Sequence, residues 1–413
     1  MSDIDVIDDL TLTRATDDDW DDIIAADARA FAMRNPLADD ERDDLRRKVA
    51  DDDVVVVRDP SLPSAPLVGV SMFYRMSMTL PGGAQADAAG LSWVSVAATH
   101  RRRGILRRML SELRDQWLAE NQTFAILTAS EGTIYERFGF GPACFAHTVQ
   151  IASGAQLRAA PPAAAQVRFA NADEVAAAIP DIHRRWTATR PGALARTESW
   201  WTPILADRSS ERPPAASGLH YLLHEDGYAS YRVIKDVADG TVRAEVEEVV
   251  AVTDAAHTEL WRVLASLDLI PTLRAAIPVD DPLPAKMIDL RAVEVTGHDD
   301  KMWVRILDIP TALTARRYRG GLDVVLGVED RFAGQGGVFA LTVSDDGIAT
   351  VTESSERPSV RLDVSVLSSI YLGGLSARGF AAAGRLWTDS DATLDALDRA
   401  FSTAHAPFAG TFF

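Results

Sequence analysis

The stretch LSWVSVAATHRRRGILRRMLSEL at residues 91–113 decides the fold of this chain. Its first part carries Trp93 and Val96, and aromatic and β-branched side chains of this kind are typical of a buried strand. Its last part begins at Ile105 and repeats apolar residues at helical spacing. Between the two parts lies a short basic loop that ends at Gly104. The stretch therefore predicts a strand, a loop and a helix in direct succession.

The basic loop at residues 101–103 lies where an anion would bind. The first turn of a helix offers unpaired backbone N–H groups and the positive end of the helix dipole. Three arginines beside these groups favour phosphate, and Gly104 lets the backbone approach a ligand closely. The sequence contains neither G-x-x-x-x-G-K-[ST] nor a G-x-G-x-x-G that follows a strand. The loop therefore predicts a pyrophosphate cradle of another kind, and the alternative is a solvated basic turn without a ligand.

A second informative stretch, ASEGTIYERFGF at residues 129–140, directly follows a predicted strand at 124–128. Its pattern indicates a short helix that leads into another strand, with Tyr135 a few residues before a Gly-Phe pair. On these residues alone, Tyr135 is either a site residue or a tyrosine that anchors the helix in the core.

Together, the two stretches resemble the GNAT acetyltransferases. The loop matches the acyl-CoA motif Arg/Gln-x-x-Gly-x-Gly/Ala at Arg101 and Gly104 and departs from it at Leu106. The fuller string V-x-V-A-x-T-H-R-R-R-G-[IL]-L-R resembles the form found in the Eis (enhanced intracellular survival) family. In GNAT enzymes a tyrosine that precedes a Gly-Phe pair acts as general acid, so the resemblance implies that role for Tyr135.

The resemblance also implies that acetyl-CoA is the co-substrate, held by the main chain of the strand, by the basic loop and by the start of the second stretch. The implied cofactor-binding residues are Val94, Ser95, Val96, Arg102, Arg103, Gly104, Ile105, Leu106, Arg107, Ser130 and Glu131. We predict no metal, because the eight histidines and one cysteine form no ligand spacing of a metal site.

The last seven residues, PFAGTFF at 407–413, contain three phenylalanines. Chain ends are normally polar and frayed, so an aromatic end predicts a buried tail. Burial would place the α-carboxylate of Phe413 inside the protein, where a charge needs a partner. The alternative is an aromatic plug that only packs. The resemblance to the Eis family implies that this carboxylate is the general base of the active site.

The chain as a whole predicts an α/β (α+β) fold in three parts. The strand at 250–252 followed by helical residues 260–264 repeats the pattern at 94–96 and 106–110, without the arginines and the glycine. We therefore predict a catalytic GNAT domain at 1–155, a degenerate GNAT-like domain at 156–292 and, by resemblance, a sterol-carrier-like domain at 293–413.

The charge and residue composition limit the kinds of molecule that the chain is expected to bind and the compartment in which it is expected to work. The formal net charge of −18 argues against nucleic acid and is compatible with cationic acceptors. Cys144 is the single cysteine, so no intrachain disulfide forms and a reducing compartment is expected. The acidic N-terminus lacks the features of a signal peptide and no apolar run is long enough to span a membrane. We predict a cytoplasmic protein, and the resemblance implies a homohexamer.

These observations predict an acetyl-CoA-dependent N-acetyltransferase that acts on primary amines, in particular aminoglycoside-like polyamines or lysine side chains. The acceptor pocket is expected to use loops such as residues 27–36. One alternative is a dedicated protein or metabolite acetyltransferase on the same scaffold. Another is a non-enzymatic acyl-CoA or lipid-binding protein that uses the third domain as a carrier.

Overall fold

The computed structural model describes residues 5–7, 9–32, 37–159, 166–236 and 240–413. These residues form one 13-stranded sheet and one five-stranded sheet, with helices packed on both. None of the helices in these ranges is both long enough and apolar enough to cross a membrane.

The elements follow one another in three groups. The first group contains β1 (Asp5–Ile7), β2 (Leu10–Arg14), α1 (Trp20–Phe31), α2 (Asp39–Lys48), β3 (Val54–Arg58), β4 (Leu67–Thr79), β5 (Gln85–Val96), α3 (Ile105–Ala119), β6 (Phe124–Leu127) and β7 (Gly141–Ala152). The second contains β8 (Arg168–Ala170), α4 (Ala172–Thr187), α5 (Glu198–Ala206), β9 (His220–His224), β10 (Gly227–Lys235), β11 (Val242–Ala251), α6 (Asp254–Ala265), β12 (Thr272–Pro278), α7 (Leu283–Lys286) and β13 (Val293–Ile306). The third contains α8 (Ile309–Ala315), β14 (Leu322–Asp330), β15 (Gln335–Val343), β16 (Ala349–Glu353), β17 (Val360–Asp363), α9 (Val364–Tyr371), α10 (Ala377–Ala382), β18 (Leu386–Thr388) and α11 (Asp391–Phe401).

The large sheet contains the same motif twice. Its strand order is β1-β2-β3-β4-β5-β6-β13-β7-β12-β11-β10-β9-β8. Two of its neighbouring pairs are parallel, β5 with β6 and β11 with β12, and one helix joins the strands of each pair, α3 in the first and α6 in the second. Parallel neighbours need such a crossover connection. This repetition agrees with the predicted internal repeat.

The last strand of the second group completes the sheet of the first. Strand β13 lies between β6 and β7, pairing Trp303 with Leu127 on one side and Val304 with Gly141 on the other. We predicted that the third domain begins at residue 293, whereas this strand, which begins there, belongs to the 13-stranded sheet. The domain boundaries themselves stay a prediction.

One hydrophobic core joins all three groups. It contains Ala88 from β5, Trp200 from α5, Leu367 from α9 and Phe413 at the chain end. Every residue of α9 is buried, and this helix packs on β7 and β13 as well as on β14 and β17 of the smaller sheet. The smaller sheet is therefore attached to the larger one through a shared interior.

Two predicted helices are shorter in the structure. The sequence of residues 15–34 predicts a helix with Thr16 as its cap, whereas the helix begins at Trp20, after a single 3₁₀ turn at Asp17–Asp19, and ends at Phe31. The short helix expected around Tyr135 is a single 3₁₀ turn, Glu136–Phe138. The first turn is closed by Asp19, whose carboxylate accepts from the N–H and the hydroxyl of Thr16, and the second ends at Gly139, which has a φ of 82°.

Candidate active site

A bulge in β5 lies beside a gap in the first of the two repeated motifs, which consists of β5, α3 and β6. Along β4 and β5 the register shifts so that Trp93 and Val94 both lie opposite Ser71. Trp93 has a φ of 53°, in the left-handed region that a bulge requires of one residue. Pairing with β6 ends at Leu91, so the remainder of β5 continues without a neighbouring strand on that side among the described residues. Its backbone groups face the gap and are available to a ligand.

A cavity of about 720 Å³ lies at this gap. It brings together most of the residues that the sequence predicts for the site. Its wall includes Val94, Ser95, Val96, Arg102, Gly104, Ile105, Leu106, Arg107, Ser130, Glu131 and Tyr135. Of the predicted site residues, Arg103 and Phe413 do not line this cavity.

The basic loop has the geometry of an anion cradle. Arg102 and Gly104 have φ values of 65° and 83°, so the chain turns sharply before α3 begins. The first helical bond runs from the N–H of Arg108 to the carbonyl of Gly104, at 3.0 Å. The N–H groups of Ile105, Leu106 and Arg107 therefore have no partner inside the helix. Exposed arginine side chains surround these donors, and together they fit a diphosphate.

The corresponding loop of the second motif has lost this geometry. Its helix α6 is capped by Thr253, whose hydroxyl accepts from the N–H of Ala256 at 3.2 Å. The first residue of the helix is Asp254, which repels a phosphate. The second motif thus keeps the strand–helix frame, and its helix begins with a side-chain cap and an acidic residue.

Tyr135 closes the far wall of the cavity. The side chain is 6% exposed, and its ring meets Phe140 edge to face at 6.1 Å. Burial raises the pKa of this phenol to about 12, and the charge of Glu131 adds to the effect. The hydroxyl therefore stays protonated at neutral pH and acts as a hydrogen-bond donor.

The turn that carries Tyr135 is held by Arg305 of β13, which is paired in turn with Asp330 of β14. The buried guanidinium of Arg305 donates to the carbonyl of Phe138 and pairs with Asp330 at 2.6 Å. Gly139, with a φ of 82°, lies against this guanidinium, and a Cβ there would come within 1.7 Å of an Arg305 nitrogen. Only glycine fits both the backbone angle and the space.

The chain end reaches the same strand from the other face. Phe413 is 9% exposed and its ring lies against Gly90 of β5, where a Cβ would come within 3.1 Å. Phe413 shares one core cluster with Ala88, whereas Tyr135 shares another with Leu91. The ring of Phe413 and the side chain of Tyr135 therefore pack on opposite faces of β5. The predicted burial of the tail holds for Phe413 and is wrong for Phe412, which is 81% exposed.

Asp27 is a candidate residue that the sequence analysis did not single out. It is 6% exposed on α1, one carboxylate oxygen has no partner among the described residues, and burial raises its pKa to about 6. Its charge acts on Tyr74, whose pKa burial raises first and Asp27 raises further. The spacing from Ile23 and Ile24 places Asp27 on the buried face of the helix, a signal present in the sequence. Residues 33–36 of the predicted acceptor loop lie outside the described residues.

A larger cavity of about 1050 Å³ lies beside the chain end. Its wall combines Lys48 of α2, Trp200 of α5 and Phe412 of the tail with both charged and apolar residues of the second motif. Trp200 meets Tyr74 edge to face at 5.2 Å, so this cavity adjoins the surroundings of Asp27. It is wide enough for an acceptor larger than a single side chain.

Family comparisons agree with this architecture. Two models described as acetyltransferase (GNAT) domains match residues 11–143 and 192–306, and a sterol carrier protein domain matches residues 309–410. They confirm the predicted fold class, two GNAT-like copies followed by a sterol-carrier-like region.

Relatives along nearly the full length identify the family. The chain is 37% identical to N-acetyltransferase Eis of Mycobacterium tuberculosis strain H37Ra over 95% of this chain and 97% of that protein, and equally similar to Eis of Mycobacterium bovis BCG Pasteur. The crystal structure of Eis1 from Mycobacterium abscessus superposes with a TM-score of 0.83 at 28% identity, covering 98% and 100% of the two chains. A GCN5-related N-acetyltransferase from Anabaena variabilis, 18% identical with a TM-score of 0.82, covers 98% and 100% and shares the fold. The chain belongs to the Eis family of GNAT N-acetyltransferases.

Proposed function

We propose that this acetyltransferase moves the acetyl group of acetyl-CoA to primary amines of polycationic acceptors, such as aminoglycoside-like polyamines or lysine side chains. Tyr135 is the general acid and the α-carboxylate of Phe413 is the general base. The observation that supports the proposal is the packing of the Phe413 ring and the Tyr135 side chain on opposite faces of the bulged strand β5. Family membership favours catalysis over the alternative of a non-enzymatic carrier.

The donor side is supported by the fit between the first cavity and coenzyme A. The N–H groups at the start of α3 and the side chains of Arg102 and Arg107 would hold the diphosphate. The unpaired backbone of Val94 and Val96 would hold the pantetheine arm and the acetyl carbonyl.

The acceptor must lose a proton before it reacts, because an alkylammonium has a pKa near 10.4. The carboxylate of Phe413, directly or through a water, receives this proton. The amine nitrogen then forms a bond with the acetyl carbon, and the carbon–sulfur bond breaks while the nitrogen loses its second proton, which passes through water to the departing thiolate. Full proton transfer from Tyr135, with its pKa of about 12, to a thiolate of pKa near 8.5 is uphill by about 5 kcal/mol. Tyr135 therefore stabilises the leaving thiolate mainly by donating a hydrogen bond.

Charge supports a cationic acceptor. The chain has a formal net charge of −18, and the carboxylate of Asp27 lies on the same face of the sheet as Phe413. A chain-end carboxylate and a buried aspartate both attract ammonium groups. Several amines of one molecule become acceptable when a wide cavity admits it in more than one orientation.

The test is a thiol-release assay with acetyl-CoA and a panel of aminoglycosides, polyamines and lysine peptides. We expect faster turnover with polycationic members than with amino sugars that carry a single amine. Appending Gly-Ser-Ser after Phe413 moves the carboxylate and should abolish turnover without weakening acetyl-CoA binding. The same tripeptide at the N-terminus is the control. Full activity of the C-terminally extended protein would refute the base role of Phe413.

We also propose that the protein works as a homohexamer in the cytoplasm. Exposed apolar side chains at Ile288, Leu290 and Val295 are close in sequence and typical of a surface that another subunit covers. Sedimentation velocity should find a single species of six chains, and a monomer at micromolar concentration would contradict this.

A further inference from the structure

The segment that joins α4 to α5 in the second motif binds the C-terminal tail along its length. The N–H of Leu194 donates to the carbonyl of Ala409 at 3.0 Å, and the N–H of Phe408 donates to the carbonyl of Pro191 at 2.9 Å. The tail therefore lies alongside this segment in extended form. We call residues 190–196 the clamp segment.

The clamp segment also pairs with the first motif. The N–H of Thr79, at the end of β4, donates to Ala193 at 2.9 Å, and Gly192 donates back to Thr79 at 2.7 Å. The N–H of Ala195 donates to Ser77 at 2.9 Å. Strand β4 is the neighbour of bulged β5. The clamp segment thus lies between the strand beside the gap and the tail, and it fixes one relative to the other.

Arg196, the last residue of the clamp segment, donates hydrogen bonds to residues 410 and 411 of the tail. Its side chain is 4% exposed; Nε donates to the hydroxyl of Thr411 at 2.9 Å and Nη2 donates to the carbonyl of Gly410 at 2.6 Å. The same guanidinium pairs with Glu248 of β11, which also accepts from the hydroxyl of Tyr228 at 2.7 Å. A planar guanidinium with several fixed partners has one orientation, so the backbone it binds has one position.

The shape of the tail matches these contacts. Gly410 has a φ of 67°, and a Cβ there would lie 2.6 Å from the ring of Trp186. Further back along the tail, Asp280 accepts from the N–H of Ala406 at 2.9 Å and pairs with Arg190 at 2.9 Å. The tail is therefore held at three successive points before it reaches β5, and each point belongs to the second motif.

We propose that Arg196, oriented by Glu248, is a positioning residue for catalysis. It fixes residues 410 and 411 so that the α-carboxylate of Phe413 lies beside the bulge of β5. This proposal rests on the proposed role of that carboxylate. It also gives the second GNAT-like copy a task in the reaction: the copy has no phosphate cradle, and it carries the parts that hold the general base of the first copy.

The test separates tail placement from catalysis. Carboxypeptidase digestion of the full chain, followed by mass spectrometry, measures how fast Phe413 is released. Arg196→Gln should release it at least about tenfold faster, because it removes more than about 1.4 kcal/mol of restraint. The same variant should lose about tenfold or more in kcat while the KM for acetyl-CoA stays within about twofold. Arg196→Lys keeps the charge beside Glu248 without the planar fork and should fall between.

The matched control is Arg185→Gln, in α4 of the same copy. Arg185 pairs with Asp226 at 2.7 Å and donates to the carbonyl of Glu225 at 2.8 Å, and neither partner belongs to the tail. This variant should release Phe413 at the wild-type rate and keep its kcat. If Arg196→Gln fails to fold, Thr411→Val removes one acceptor of Arg196 and should shift both readouts the same way by less.

The outcomes are distinct. A tail that stays as resistant as wild type in Arg196→Gln and Thr411→Val would overturn the positioning role. A tail that is released fast while kcat is unchanged would keep the clamp and overturn the base role of Phe413. A lower kcat with a resistant tail would also count against the proposal, because the loss would then have another cause.

Discussion

Burial raises the pKa of two side chains, Tyr135 and Asp27, which lie on opposite faces of the sheet at β5. The pKa of Tyr135 rises to about 12 and that of Asp27 to about 6, in both cases because the charged form loses water. For the phenol the shift keeps a proton available over the whole physiological range. For the carboxyl it moves ionisation into the range between about pH 5 and 7, so the charge on Asp27 depends on pH.

Tyr135→Phe removes the hydroxyl and keeps the ring that packs on Phe140. We expect kcat to fall by about 100-fold, with little change in melting temperature. In the wild type, ionisation of Tyr135 should not lower kcat below about pH 10, since the pKa of its hydroxyl is about 12. Tyr231→Phe, a buried tyrosine of β10, is the control. Equal losses in both variants would show that the hydroxyl at position 135 has no special role.

Asp27→Asn should make the protein more stable at neutral pH. The unfolded chain ionises this carboxyl near the ordinary aspartate pKa of 3.8, whereas the folded protein does so at about 6. The folded state thus binds more protons across that window, and wild-type stability falls as the pH rises from about 4 to 6. The asparagine variant avoids this loss, which we expect to be about 1–3 kcal/mol. Urea titrations at pH 4 and pH 7 measure it.

The same substitution should weaken acceptor binding. In the wild type the acceptor KM should fall as the pH rises through about 6 and Asp27 becomes anionic, and in Asp27→Asn this dependence should vanish. Asp21→Asn, on the solvent side of α1, changes the net charge equally and is the control. A stabilised variant with an unaltered acceptor KM would show that Asp27 is only a core residue.

At the scale of elements, a substitution of Gly104 in the loop before α3 should affect both stability and acetyl-CoA binding. A control at Gly154 separates the two effects. Gly104 has a φ of 83° and open space where a Cβ would lie, and Gly154 has a φ of 79° with equally open surroundings far from the cavity. Alanine at either position should cost about 1–2 kcal/mol of stability from the left-handed backbone alone.

Gly104→Ala should in addition raise the KM for acetyl-CoA, because relief of the strain moves the N–H groups of the first turn of α3. A loss of about 1 kcal/mol in binding corresponds to roughly a fivefold rise. Gly154→Ala should leave this KM unchanged at a similar loss of stability. Isothermal titration with CoA and thermal melts of both variants measure the two effects. An unchanged CoA affinity in Gly104→Ala would exclude the loop as the diphosphate site.

The sequence predicted the elements whose signals are local. Residues 91–113 contain within themselves the apolar spacing, the arginines and the glycine that form β5, the loop and α3. The bulge at Trp93 left no local signal, because it depends on register with β4. The predicted start of α1 is wrong, because the residues after the expected cap Thr16 form a 3₁₀ turn, Asp17–Asp19, and the α-helix begins at Trp20.

At the scale of the whole molecule, features that join distant parts of the chain were beyond local patterns. Strand β13 pairs with β6 across more than 170 residues, and Arg196 binds a tail more than 210 residues away. The sequence indicated an aromatic tail, but the partners of the tail and of β13 are set by tertiary packing. The acetyltransferase fold was therefore recognisable, whereas the way its two copies share strands and a chain end was not.

This sharing predicts that the protein unfolds as one unit. Without β13, the fully buried strand β6 would become a bare apolar edge, and without α9 the core between the sheets would open. Calorimetry should therefore give one transition whose van't Hoff and calorimetric enthalpies agree.

Leu367→Ala, in α9 at the centre of the shared core, should lower the free energy of unfolding by about 2–5 kcal/mol without splitting the transition. Leu269→Ala, at a side chain that is 95% exposed, should leave the free energy of unfolding unchanged. Separate transitions for the first 155 residues and the remainder would instead mean that the three parts are energetically independent.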